Sequence, residues 1–415
     1  MAKFPIGFWN YPSIDDLDLS EVKVWADCGM TVTMAPQLPV NPTPEQIKKL
    51  FAILDECLKY GMQLIIRDKE LELLAWNGAS DDPEGYRAKF RQAVELFGHH
   101  PATHGFFIGD EPVTPKQFAD CITAVRIQRE EAPDLMGFLN FVPYWPGIED
   151  EIFGGKSFEE WTKDFVEKSH CQLLSYDCYC QLNPRGEGLD GYFLNLNKFS
   201  KATRAAGISL RTTLLSIGHF RYRPPTEDDI RWQLYTAVAS GCKGVDWFFF
   251  YGRNIRNYRG APINQYGEKT IVYDWMSLIQ RNFHDEYGEL MMSLSLKDCW
   301  HIVKAYGGYR LFPENTHPLV RRVFSDHHVP GIVSFFEDAE GREYIALTNS
   351  SQTESDLFKM AFDPSVRHIY NLRKNGADAK DMKDFHHDAF YRADAAEVQA
   401  GVWLAPGQME IFCIE

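Results

Sequence analysis

The chain has 415 residues, 45% hydrophobic and 14% aromatic, with 43 Lys and Arg against 58 Asp and Glu, a formal net charge of −15. That length exceeds one small core and suits a large barrel with a smaller partner domain, or two to three average domains. The apolar share marks a globular chain rather than a disordered one. The negative charge argues against general nucleic-acid binding, and no run of roughly 18 uncharged apolar residues is present to span a membrane.

Short apolar runs alternate with amphipathic ones over the first 296 residues. The first expected strand is KFPIGFWNY (3–11), followed by a helix through LSEVKVWADCG that closes on Gly29. TVTMAPQ (31–37) is the second strand. Thr43, Pro44 and Gln46 open the next helix as a capping box with proline just inside, and Gly61 ends it. MQLIIRD (62–68) is the third strand and a helix is expected over roughly 83–97. The fourth strand lies in HGFFIGDEP (104–112), the fifth in DLMGFLNFVP (134–143) and the sixth in CQLLSYDCY (171–179). The seventh is ISLRTTLLS (208–216) and the eighth KGVDWFFFYG (243–252), with helical patterns between them and a last helix over 274–294. Eight strand–helix units predict a (β/α)8 barrel, residues 1–296. The competing open doubly wound sheet wants a Gly-rich phosphate turn after an early strand, and the sequence has none.

From about 297 the rhythm changes. GIVSFFED, EYIALTNSS, SDLFKMAFD, VRHIYNLR and VWLAPGQMEIFCIE read as strands joined by turns, a small antiparallel β-sandwich over 297–415.

Function in a (β/α)8 barrel resides at the C-terminal ends of its strands. The fourth strand ends in Gly109-Asp110-Glu111-Pro112, with Pro112 expected to hold Glu111 extended. A carboxyl at an apolar barrel mouth has the raised pKa that a general acid needs. The alternative is that both are loop charges, Asp110 capping the helix near Pro115. The sixth strand ends in Ser175-Tyr176-Asp177-Cys178-Tyr179, and Asp177 either supplies the second carboxyl of a glycosidase pair or orients a neighbouring Tyr or His. Trp9, Asn10, Asp68, Asn140, Tyr176, Tyr179, His219, Tyr222, Arg223, Tyr251 and Arg253 stand at other strand ends as candidate substrate contacts. Aromatics fill cores and also stack on sugar faces. For Trp9, Tyr176, Tyr179, Tyr222 and Tyr251 the strand-end position favours the sugar platform. The run Arg253–Arg259 is a solvated loop or a site for the acid group of a charged sugar.

FGHHPATHGFFIGDEP resembles the fourth-strand segment of (β/α)8-barrel glycoside hydrolases, the superfamily that contains the β-galactosidases, on His100-Pro101 and Glu111-Pro112. LLSYDCY, HFRYRPPTEDDIRWQLYTAVASGCKG and the FFFY end of the eighth strand resemble an Asp-Glu-Pro branch of such barrels, and LAPGQMEIF resembles the closing strands of the sandwich that follows them. The resemblance implies a glycosidase with Glu111 as acid/base. Asp110 stands where that superfamily has Asn, and Tyr251 where related chains have Trp. The seventh strand, LLSIGHF, lacks the nucleophile Glu expected there. Three mechanisms remain open: Asp177 as nucleophile or base; Asp110-Glu111 as a unit with a substrate acetamido group as nucleophile; or inversion through a strand-end carboxylate. A non-catalytic carbohydrate-binding protein on a disabled glycosidase scaffold is the alternative function.

Nine cysteines, scattered except at Cys178 and Cys180, point to a reducing compartment rather than a disulfide framework. MAKFPIGFWN has no signal-peptide stretch, so the expected location is cytoplasmic, with a secreted or periplasmic protein lacking its signal as the alternative. The His99-His100, His327-His328 and His386-His387 pairs point to opposite faces, and Cys178-x-Cys180 offers only two ligands. No metal and no cofactor are expected. The expected partner is a carbohydrate substrate, without nucleic acid or membrane.

Overall fold

The computed structural model describes residues 3–185, 188–384 and 389–415. Eight parallel strands form one sheet: β1 (Ile6–Phe8), β2 (Val32–Met34), β3 (Gln63–Ile66), β4 (Thr103–Asp110), β5 (Met136–Phe141), β6 (Leu173–Asp177), β7 (Ser209–Leu215) and β8 (Val245–Phe248). Each strand lies beside its sequence neighbour, and β8 returns to β1, so the sheet curls into the expected (β/α)8 barrel. The β1–β2 seam is closed mainly by side chains. The Ile6 and Phe8 amides donate to the Thr31 and Thr33 hydroxyls at 2.9 and 3.1 Å, and the Thr31 amide donates to the Ile6 carbonyl at 2.8 Å. β-Branched hydroxyl residues thus satisfy backbone donors that an edge would leave open.

The barrel interior is ionic at one level. Arg211 of β7 donates to Asp246 of β8 at 2.8 Å and to the Val32 carbonyl at 3.0 Å, and both side chains are shielded from water. Gly7 leaves room for this pair: a Cβ there would sit 2.1 Å from the Val32 oxygen and 2.7 Å from Asp246 Oδ1.

Outside the barrel, the Thr43–Gln46 capping box forms, and the same device starts the helices Pro115–Glu131, Phe158–Ser169 and Glu227–Ala239. The helix expected over 83–97 is α-helical over Pro83–Ala93 and widens to a π turn over Val94–Gly98. A helix that the periodicity did not suggest, Lys69–Asn77, follows β3.

The C-terminal strands are β9 (Ser295–Ile302), β10 (Val320–Ser325), β11 (Gly331–Glu337), β12 (Glu343–Asn349), β13 (Asp356–Phe362), β14 (Ile369–Arg373), β15 (Asp378–Asp381), β16 (Ala389–Ala393), β17 (Val398–Leu404) and β18 (Met409–Ile414). They make a four-stranded sheet, β10-β13-β17-β16, and a six-stranded sheet, β15-β14-β18-β12-β11-β9, both antiparallel. Phe335, Phe358, Phe412 and other apolar side chains fill the core between them.

The sandwich is joined to the barrel through the helix Glu227–Ala239. Trp232 Nε1 donates to the Ser350 carbonyl at 2.7 Å, and Ser334 Oγ donates to the Ala239 carbonyl at 2.7 Å. No helix among the described residues is long and apolar enough to cross a membrane.

Candidate active site

The C-terminal ends of the strands open onto a cavity of about 750 Å³. Asp110 and Glu111 from the end of β4, Asn140 from β5 and Asp177 from β6 line it, and these three acids are its only carboxyls among the described residues. Neighbouring side chains on a strand point to opposite faces, so a regular β4 would send only one of Asp110 and Glu111 inward. Two departures change this. The β4–β5 register slips between Phe107 and Gly109, and Glu111 takes φ +52°. The expectation that Pro112 holds Glu111 extended is therefore corrected. Glu111 turns into the left-handed region while its N–H donates to the Asn140 carbonyl at 2.8 Å. Such a conformation costs a non-glycine residue about 1–3 kcal/mol and persists where the surroundings impose it, most often at functional sites.

Asn140 ties the acids together. Its Nδ2 donates to Asp110 Oδ1 at 3.1 Å and to Asp177 Oδ1 at 2.9 Å, while Ser175 Oγ donates to its Oδ1 at 3.2 Å and orients the amide. The Glu111 and Asp177 carboxyls share a hydrogen bond. Asp110 and Glu111 are exposed and Asp177 is half-buried. The pKa of all three acids is raised. Asp110 is pushed up to about 7, by desolvation first and then by the Glu111 charge. Glu111 is raised by desolvation. Asp177 rises well above the carboxylate range, through desolvation and the charges of Glu111 and Asp110. Like charges this close do not all ionise at neutral pH, so the cluster retains protons there.

Aromatic rings form the walls. Tyr179 stacks on Phe248 at 5.5 Å and meets His219 and Tyr222 edge-on at 5.8 and 6.0 Å. Trp9 lines the floor with its Nε1 donating to Thr213 Oγ1 at 3.1 Å. Desolvation and the Arg259 charge hold His219 down to about 4, so its ring is neutral at physiological pH. The opposite wall is Pro143-Tyr144-Trp145-Pro146, fixed where the Tyr144 N–H donates to Asn195 Oδ1 at 2.6 Å and Asn195 Nδ2 donates to the Tyr144 carbonyl at 3.0 Å.

Of the residues singled out in the sequence, the cavity brings together Trp9, Asp110, Glu111, Asn140, Asp177, Tyr179, His219 and Tyr222. The others are engaged elsewhere. Asn10 is buried and donates to the Met34 carbonyl at 3.1 Å. Asp68 caps the helix Lys69–Asn77, accepting from the Glu70 and Leu71 amides at 3.0 and 3.1 Å. Tyr176, one residue before Asp177, faces the opposite side of β6 and stacks on Phe199 at 4.1 Å. Arg223 pairs with Asp229 at 2.7 Å. Tyr251 donates to Glu21 at 2.8 Å and accepts from Trp25. The Arg253 guanidinium lies 3.8 Å over the Tyr11 ring, and it is Arg256 that reaches the cavity. His386 and His387 lie outside the described residues.

Sequence reasoning missed Tyr144, Trp145, Phe248 and Tyr258, while Arg256 belongs to the Arg253–Arg259 run it had singled out. The two prolines bracketing Tyr144-Trp145 directly after the fifth strand were a readable signal, because proline-held aromatics at a strand end make a fixed wall. Tyr258 carries no such mark within a loop.

No protein-family model matches the sequence, and no curated protein matches it. Solved structures do resemble it. A family 5 glycoside hydrolase from Bacteroides vulgatus is 10% identical, covers 99% of this chain and 89% of its own, and superposes with a TM-score of 0.56. A family 39 glycoside hydrolase from the gut symbiont Bacteroides cellulosilyticus is 12% identical over 100% of this chain and 81% of its own, with a TM-score of 0.52. A β-galactosidase from Bacillus circulans is 11% identical over 71% of this chain and 57% of its own, with a TM-score of 0.51. The chain is thus similar in fold to (β/α)8-barrel glycoside hydrolases, at a distant level of sequence identity.

Proposed function

We propose that the protein hydrolyses a glycosidic bond in an oligo- or polysaccharide. The observation that carries this reading is the group of three carboxyls with raised pKa, Asp110, Glu111 and Asp177, in an aromatic-walled cavity at the strand-end mouth of the barrel. Glycoside hydrolysis needs one carboxyl that still holds a proton at working pH and a second that is ionised. A cluster that retains protons supplies both states.

The proton of the hydrogen-bonded pair rests on Asp177, and when the pair parts it passes to Glu111, the more accessible of the two, which protonates the leaving oxygen and leaves Asp177 ionised. Asp177 is the second carboxyl, and Asn140 orients it. Asp110 lies on the other donor position of Asn140 and raises the proton affinity of Asp177 through its charge. The Glu111 and Asp177 carboxyls are hydrogen-bonded to each other, so a sugar that binds between them parts them. Retention needs about 5–5.5 Å between carboxyl groups and inversion about 6.5–9.5 Å. Retention with Asp177 as nucleophile is the smaller opening and is the mechanism we favour. The flat rings of Tyr179, Tyr222, Trp9 and Trp145 suit the apolar faces of sugar rings.

The test is a panel of p-nitrophenyl glycosides and unactivated disaccharides, with wild type and Glu111→Gln. The variant is expected to lose about 10²–10⁴-fold in kcat/KM on a disaccharide. The loss is smaller on p-nitrophenyl substrates, whose leaving group departs with little protonation. Equal rates for the two proteins would remove Glu111 from the chemistry.

One observation favours a second reading, a carbohydrate-binding protein without turnover. The loop after β7, Ser216-Ile217-Gly218-His219, places no carboxyl in the cavity. Oligosaccharide binding measured by calorimetry, with no hydrolysis across the panel, would select that reading.

A further inference from the structure

Two thiols stand in the wall of the cavity beside Asp177. Cys178 Sγ and Cys180 Sγ are 3.3 Å apart, and both residues line the cavity. Cys178 is buried and Cys180 half-buried. The seven other cysteines are free thiols as well. We infer that Cys178 and Cys180 form a reversible disulfide in the cavity wall when the protein meets a peroxide. This inference stands apart from the glycosidase reading and holds for a sugar-binding protein equally.

Three observations support it. The first is proximity: the sulfurs need to close from 3.3 Å to about 2.05 Å, the length of a disulfide bond. The second is activation. The contact with the Cys178 thiol holds the Cys180 pKa below the ordinary thiol value, with the Cys180 thiol also donating to the Gly188 carbonyl at 3.0 Å, whereas burial raises Cys28, Cys57, Cys121 and Cys242. A thiol that ionises more readily reacts faster with a peroxide. The third is access at Cys180, which is half-buried and lines the cavity, whereas Cys28, Cys57, Cys121 and Cys242 are buried in the core, as Cys178 is behind it.

The chemistry balances without any further reagent. The Cys180 thiolate attacks one oxygen of hydrogen peroxide and the O–O bond breaks. Cys180 becomes a sulfenic acid, and the departing hydroxide takes up the thiol proton to leave as water. Cys178 Sγ then attacks the Cys180 sulfur, the S–O bond breaks, and the oxygen leaves as a second water with the Cys178 proton. Two thiols are oxidised by two electrons and one peroxide is reduced.

The bond would reshape the cavity. Tyr179, the residue between the two sulfurs, carries the ring stacked on Phe248, and Asp177 directly precedes them. A disulfide across a single intervening residue is strained, which keeps it easily reducible and suits it to reversible use.

The experiment treats wild-type protein with a few-fold excess of hydrogen peroxide, alkylates the remaining thiols and maps the peptides by mass. The expected result is a 178–180 disulfide that forms at least ten-fold faster than Cys57 or Cys121 is modified, disappears with dithiothreitol, and is absent from Cys180→Ser. Amide hydrogen exchange over residues 177–182 should change on oxidation and revert on reduction. Thiols at 178 and 180 that stay alkylatable, or that reach only sulfinic or sulfonic acids, overturn the disulfide. A disulfide that leaves the exchange unchanged overturns its coupling to cavity shape. All these readouts are independent of glycoside turnover, so failure here and failure of the glycosidase reading are separate results.

Discussion

Asp110 is held with its pKa raised to about 7, chiefly by desolvation and next by the Glu111 charge. In the unfolded chain it titrates as an ordinary carboxyl near pH 4. Between these values the folded state holds a proton that the unfolded state has released. Its contribution is therefore fully present below about pH 4 and is lost as pH rises toward 7. Asp110→Asn should match wild type in urea melts at pH 4 and exceed it in stability at pH 8. A variant that is less stable than wild type at pH 8 would contradict the raised pKa. The same carboxyl illustrates a limit of sequence reasoning. That Asp110 and Glu111 are acids at a strand end was legible from Gly109-Asp110-Glu111-Pro112. That both face the cavity was not, because it depends on a register slip against β5 and a left-handed turn at Glu111. Tyr176 shows the reverse case: a strand-end aromatic whose parity, opposite to that of Asp177, sends it into the core against Phe199.

At the scale of elements, the helix Pro115–Glu131 starts directly after the acid loop. Thr114 Oγ1 accepts from the Gln117 amide, and the Gln117 side chain accepts from the Thr114 amide. Thr114, not Asp110, is thus the cap of this helix, which leaves Asp110 to the cavity. Thr114→Ala removes one acceptor for the first-turn donors and should cost about 1 kcal/mol in denaturant unfolding. A larger loss with a changed m-value would show that the acid loop unfolds with the cap. The barrel elements were readable because apolar runs alternate with amphipathic ones, several of which open on a side-chain cap. The sandwich was only half readable. β9, with its sequence SLKDCWHI, alternates irregularly and carries two charges, and VWLAPGQMEIFCIE is two strands, β17 and β18, joined by a turn at Gly407. Edge strands and strands with one wet face carry too little apolar patterning to stand out.

Across the whole molecule, barrel and sandwich meet where Gly407 presses on Trp232. Gly407 has φ +71°, and a Cβ there would lie 2.2 Å from the Trp232 Cα. Gly407→Ala therefore meets both backbone strain and a clash with a helix that cannot retreat, since Trp232 is fully buried and bonded to Ser350. A destabilisation of about 1–3 kcal/mol is expected, with barrel and sandwich melting in one calorimetric transition. Two separated transitions would mean that the contact does not couple them. The sandwich also reaches the turn behind the cavity wall. Gln352 Nε2 donates to the Gln181 carbonyl at 3.1 Å, in the turn that follows Asp177 and the two cavity thiols.

By itself the sequence determined the barrel, the antiparallel C-terminal domain, the positions of Glu111 and Asp177 at strand ends, and the absence of a seventh-strand carboxyl. These follow from local rules: periodicity, capping residues and the order of strand and helix. Tertiary structure alone decided which strand-end side chains share the cavity, that one asparagine amide holds two of the acids, and that Asp68, Tyr176, Arg223 and Tyr251 are engaged elsewhere. Those outcomes depend on side-chain parity, register and contacts between residues far apart in the chain, and none of these is encoded in a local pattern.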